Sequence, residues 1–165
     1  MADHKQPDGT PSDPAGTLER IGRYCAYQER CTDDVEKKLK EWKVPVTKIP
    51  GILHVLRKEG FLDDTRFARG FVSGKLKINH WGRIRIRYEL RCRKIPEKII
   101  ESALNVISQD AYHDIINMLI IKKRKEITKL KTGDARQKIL NFVVGKGFEY
   151  EAVLNALATM EVKED

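Results

Sequence analysis

Residues Gly82–Pro96 read GRIRIRYELRCRKIP, and how this stretch folds decides the architecture of the chain. Taken alone, Arg83-Ile84-Arg85-Ile86-Arg87-Tyr88 alternates polar and apolar, the pattern of a half-buried strand. The rest of the sequence argues against that. With Val44, Ile95 and Phe148 as anchors, copies of one pattern stand 51 and then 53 residues apart. Nine residues before the anchors are Val35, Ile86 and Ile139; five before are Leu39, Leu90 and Val143. Five after are Ile49, Ile100 and Val153, nine after are Leu53, Leu104 and Leu157, and twelve after are Leu56, Ile107 and Met160. All fifteen positions are apolar in a chain that is 41% hydrophobic. Ile86 and Leu90 keep the four-residue spacing of their counterparts, so the stretch is expected to be a helix. The period is that of helical repeats. It predicts an all-α fold of three tandem three-helix, helix-turn-helix-like modules in an elongated, curved array. The boundaries fall at 17–62, 63–108 and 109–162, with a disordered tail over 1–16 and a short one over 163–165.

Working outward, the second module opens with Asp63-Asp64 at a helix start, where a carboxylate can accept from free N–H groups of the first turn. Phe67 and Phe71 follow four apart on one face, beside Ala68 and Val72. Arg66 and Arg69 are expected to pair with these acids or with a neighbouring helix. The helix after Gly82 then carries Arg83, Arg85, Arg87, Arg91, Arg93 and Lys94 against the single acid Glu89. That excess is more than helix-end electrostatics requires, and arginine's planar fork suits carboxylate and phosphate. Arg83, Arg87 and Arg91 share one flank of such a helix. The third module begins with a longer helix ending in Lys122-Lys123-Arg124-Lys125, with Lys129 and Lys131 to follow. For this run a solvated helix end and a contact surface fit equally.

Asp63-Asp64-x-Arg66-Phe67-Ala68-Arg69-x-Phe71, followed by Gly82-x-x-x-Ile86-x-x-Glu89-Leu90-x-x-x-x-Ile95-Pro96, resembles the signature of the RecX regulatory family, with a weaker echo from Arg20 to the end. The sequence departs from the pattern at Lys94, where a glycine would close the helix in the left-handed conformation. The resemblance implies the same three-module architecture and a non-enzymatic role in recombination, DNA repair and the SOS response, and the three cysteines, too few for a disulfide framework, fit a reducing cytoplasm. It also implies a partner, the RecA recombinase filament, whose growth, ATP hydrolysis and strand exchange would be restrained. It makes the motif residues, from Asp63 to Ile95, mainly structural. The contact residues are expected among the cations: Arg83, Arg85, Arg87, Arg91, Arg93, Lys94, Lys122, Lys123, Arg124 and Lys125.

Charge and composition agree with such a partner. A net charge of +8 and a pI near 9.4 favour a polyanion, either nucleic acid or a filament assembled on it. Direct binding of DNA by a helix-turn-helix-like module is the alternative, although the arginines are confined to one module and no dimerisation zipper is visible, so a monomer is expected. Three cysteines, Cys25, Cys31 and Cys92, do not make a disulfide framework. The first two lie six apart and the histidines are scattered, which argues against zinc. The glycines do not form a phosphate loop, and no nucleophile–base pair can be argued from spacing, so no cofactor is expected. Trp42 and Trp81 flank apolar stripes and read as packing residues. A signal peptide and a membrane span are both absent from the pattern.

Overall fold

The computed structural model describes residues 14–128 and 135–162, and among these every regular element is helical. The first three helices are α1 (Pro14–Tyr27), α2 (Thr32–Glu41) and α3 (Ile49–Lys58), with a 3-10 turn over Val46–Lys48 leading into α3. Next come α4 (Asp64–Lys77), α5 (Arg83–Cys92) and α6 (Glu97–Asn105), then α7 (Gln109–Thr128), α8 (Ala135–Gly145) and α9 (Tyr150–Val162). The chain divides into two units, one up to Phe67 and one from Ala68 onward. None of the described helices is long and apolar enough to cross a membrane.

The alternating stretch is indeed a helix: Arg83–Tyr88 lie inside α5, with Ile86 and Leu90 fully buried. The anchors and register positions form the interior, all buried except Ile107 and Met160, which are half-buried. In the first unit Ile21, Cys25, Val35, Leu39, Val44, Ile49, Leu53, Leu56 and Leu62 make one apolar cluster. In the second, α7 packs on α8 and α9, and Tyr112, Ile116, Leu119, Val143, Phe148 and Val153 are buried. α1 begins at Pro14 rather than at Thr17. Proline suits the first helical turn because its missing N–H would have no partner there. Residues 14–16, expected in the tail, are therefore helical, and Thr17 is buried within α1. The rest of the expected tail, 1–13, lies outside the described residues, as do 129–134 and 163–165 with Lys129 and Lys131.

The repeat shows in the backbone as well as in the core. The residue before each anchor is left-handed: Lys43 at φ 57°, Lys94 at φ 55° and Gly147 at φ 89°. At the first two the following N–H reaches back over the helix end, Val44 to the Leu39 carbonyl at 3.0 Å and Ile95 to that of Leu90 at 3.1 Å. Lys43 and Lys94 close the inner loop onto Lys40 and Arg91, each at 2.9 Å. Both pairs together form the Schellman stop. Lys94 thus makes the turn that a glycine would make, at a conformational cost of about 1–2 kcal/mol. Burial of the following Ile95 offsets that cost.

Asp63 and Asp64 divide their work. Asp63 Oδ1 accepts from the Thr65 and Arg66 N–H groups at 2.8 and 3.0 Å, capping its own helix, α4. Asp64 instead serves α2. Its carboxylate accepts from the Thr32 N–H at 2.8 Å and the Thr32 hydroxyl at 2.7 Å, while Arg57 donates to the same hydroxyl at 3.0 Å. α2 has no side-chain cap of its own. Arg66 pairs with Glu29 through two bonds of 2.8 and 2.9 Å and donates to the Gly60 carbonyl at 3.0 Å; Arg69 is exposed. Phe67 and Ala68 are buried. Phe71 is half-buried, with the Arg93 guanidinium 5.0 Å and the Lys75 ammonium 5.3 Å from its ring.

Candidate functional site on helix α5

The start of α5 is seated backbone to backbone on the turn between α8 and α9. Gly82 donates to the Lys146 carbonyl and Ile84 to that of Gly147, each at 3.0 Å. The approach requires glycine on both sides. A Cβ on Gly82 would lie 2.1 Å from the Gly147 oxygen, and one on Gly147 would lie 2.3 Å from the Arg85 Cβ. Between them the Arg83 N–H donates to the Tyr112 hydroxyl at 2.9 Å, and that hydroxyl donates to Glu149 at 2.6 Å. Tyr112 is 1% exposed and its ring lies 5.0 Å from that of Phe148. Burial, and then the bond to Glu149, push its phenol pKa well above the usual value near 10. The first turn of α5, which has no side-chain cap within its own module, is thus satisfied by residues of α7 and of the α8–α9 region.

Docked in this way, α5 distributes its cations unevenly. Arg83 is committed to the seat, stacked 3.9 Å over the Tyr112 ring with Glu149 at 3.8 Å. Arg93 folds back to the Glu89 carbonyl at 2.9 Å and its carboxylate at 3.0 Å, over Phe71. Arg87 and Arg91 meet on one acid, Glu97 at the start of α6. Arg91 Nε donates to it at 2.9 Å and Arg87 donates to its other oxygen. Those two bonds, that of Arg91 first, hold the Glu97 carboxyl below the usual carboxylate range. Arg85 is exposed and lies 4.0 Å over the half-buried Trp81, with Lys75 at 4.8 Å. Lys94 is exposed at the helix end. The expected flank is therefore split: Arg87 and Arg91 are brought together and Arg83 is drawn into the module seat.

Sequence reasoning missed what lies between these arginines. Ile84 is 55% and Tyr88 65% exposed, with Cys92 exposed one turn on. Arg85 flanks this strip on one side and Arg87 and Arg91 on the other. The signal was present in the alternating pattern. Two residues along a helix turn the side chain by about 200°, so once Ile86 and Leu90 face inward, Ile84 and Tyr88 must face out. The Cys92 thiol one turn on raises the Tyr88 phenol pKa. The other two cysteines are buried, and burial pushes the Cys31 thiol up to about 12, which removes it from thiolate chemistry.

The cations of α7 form a separate surface. Lys123 bonds to Glu126 at 2.9 Å and lies 5.0 Å over Phe142, and Arg124 is half-buried. Lys122 and Lys125 are exposed and border a shallow open depression with Met118 and Ile121. Among the described residues no cluster of histidine, cysteine and carboxylate is arranged to hold a metal ion.

The fold and motif have counterparts among known proteins. Residues 63–104 match the family model described as RecX, second three-helix domain. Regulatory protein RecX of Bacillus licheniformis is 30% identical over 142 residues, covering 86% of this chain and 54% of that protein. A crystal structure of a regulatory protein RecX superposes with a TM-score of 0.78 at 27% identity, over 87% of this chain and 70% of the other. That of RecX from Lactobacillus salivarius gives 0.81 at 20% identity, over 90% and 96%. This chain spans about half the length of several of the curated relatives it matches. Those relatives are named as regulatory proteins rather than enzymes. The family is the one that the motif resembles: in sequence and in fold, this chain is similar to the RecX regulatory proteins.

Proposed function

We propose that this chain is a non-enzymatic, cytoplasmic regulator that binds the RecA recombinase filament as a monomer. Its contact surface is the outer face of α5, and its effect is to restrain filament growth, and with it ATP hydrolysis and strand exchange. One observation supports that face above the rest of the basic surface. Ile84 and Tyr88 lie exposed between Arg85 and the Arg87–Arg91 pair, within the module that matches the RecX family model. Apolar side chains held out on a rigid helix and rimmed by arginine suit a protein partner, since aromatic and arginine residues carry much of the energy at interfaces.

The test is binding of an I84A/Y88A variant to recombinase filaments formed on single-stranded DNA. Neither side chain supports the core, so the melting temperature should hold while affinity falls about tenfold or more. Unchanged affinity would refute the assignment and leave the Met118–Lys125 face of α7 as the next candidate. Direct DNA binding, the competing reading, would appear as equal affinity for bare single strands, with a steep salt dependence.

A further inference from the structure

The positive charge on one side of the α5 face is already engaged. Arg87 and Arg91 both donate to Glu97, and Glu101, exposed one turn further along α6, also acts on Arg91. Two arginines facing two carboxylates make a poor cradle for a polyphosphate, whose binding depends on net positive charge and release of counterions. Of the exposed pair only Tyr88 offers a ring on which a base could stack, and the aliphatic Ile84 beside it does not extend that platform. The same surface suits a protein segment that combines an apolar side chain with a carboxylate. Each guanidinium carries five N–H donors, and the bonds to Glu97 use one from each arginine. A partner carboxylate that displaces Glu97 takes over those two donors and can fork onto the others.

We propose that the α5 face receives an acidic, apolar segment of a partner protein. The segment lays its apolar side chain over Ile84 and Tyr88 and presents a carboxylate to Arg87 and Arg91, and Glu97 occupies the place of that carboxylate in the free protein. Glu97 is then a specificity-setting competitor. It keeps the arginine pair aligned and neutralised, and it opposes any anion that brings no apolar contact to offset its displacement. This rests on the reading of α5 as the contact face.

The experiment compares wild type, E97Q and I84A/Y88A on recombinase filaments assembled on oligo(dT) with a slowly hydrolysed ATP analogue, and on bare oligo(dT). Glutamine is a good helix former, so E97Q should melt within a few degrees of wild type. E97Q should bind filaments about three- to tenfold more tightly, because two partly exposed ion pairs no longer have to be broken. Affinity for bare oligo(dT) should rise less, because phosphates gain from the freed arginines but bring no apolar contact to Ile84 and Tyr88. An equal gain on bare oligo(dT) would overturn the proposal in favour of a phosphate occupant. Weaker filament binding by E97Q would overturn it too, making Glu97 a positioning residue for the arginines. If E97Q leaves filament binding unchanged while I84A/Y88A weakens it, the competitor role falls and the contact face stands. If neither variant changes binding, the face itself is wrong.

Discussion

Replacing Tyr112 with phenylalanine removes one oxygen from the seat of α5 and leaves the ring beside Phe148 and Arg83. The lost hydroxyl accepts from the Arg83 N–H and donates to Glu149. In Y112F the Arg83 N–H, part-buried in the first turn of α5, has no acceptor, a loss of about 1–3 kcal/mol. Glu149 suffers less. It is partly exposed and keeps the Arg83 guanidinium at 3.8 Å, so water replaces the phenol. The sum is a destabilisation of about 2 kcal/mol, or about 8–16 °C in melting temperature for a unit of this size. Urea melts monitored by helical circular dichroism would measure it. The pH dependence carries a second signature. The Tyr112 phenol is raised above its usual value near 10 by burial and by Glu149. Its contribution is therefore complete below that value, where the unfolded phenol is also protonated, and is lost as pH rises through the alkaline range. The gap between wild type and Y112F should narrow above about pH 10. A loss below about 0.5 kcal/mol, or a gap that widens with alkali, would refute the account of the seat.

Two further substitutions test the helix ends. Asp64→Ala removes both bonds that reach the start of α2 and should cost about 1–2 kcal/mol of stability in the first unit; a neutral result would mean that water caps α2 equally well. Lys94→Gly relieves a left-handed lysine and should stabilise by about 0.5–1 kcal/mol after the entropy of glycine is charged against it. Destabilisation in equilibrium unfolding would show that the lysine side chain contributes more than its backbone costs.

Much of the fold was legible because the repeat is written in large apolar residues. Val35, Ile86 and Ile139 announce the same inward position three times, and the spacing to Leu39, Leu90 and Val143 overrules the strand-like alternation at Arg83. The fate of the arginines was not legible. Arg83 was grouped with Arg87 and Arg91 by helical spacing, but its acceptor partner Glu149 lies 66 residues away, and Glu97 becomes the shared acid only when α6 folds against α5. Charge counted along a helix says nothing of acids that arrive from elsewhere. The left-handed stops at Lys43 and Lys94 were hidden for a related reason. Glycine marks that conformation in sequence, whereas here the buried residue after each lysine enforces it.

The way α2 and α5 are capped has a consequence for how the chain comes into being. α2 waits for Asp64, 32 residues beyond Thr32, and α5 waits for Tyr112 and then for the carbonyls of Lys146 and Gly147. At about 5–20 residues per second of synthesis, Gly147 follows Arg83 by about 3–13 s. During that interval the arginine helix has emerged with its first amides still open to water. The surface proposed to meet the partner is therefore among the last parts of the molecule to become rigid, although it lies near the middle of the sequence, and a nascent chain halted before residue 146 would display the arginines without the seat that aims them.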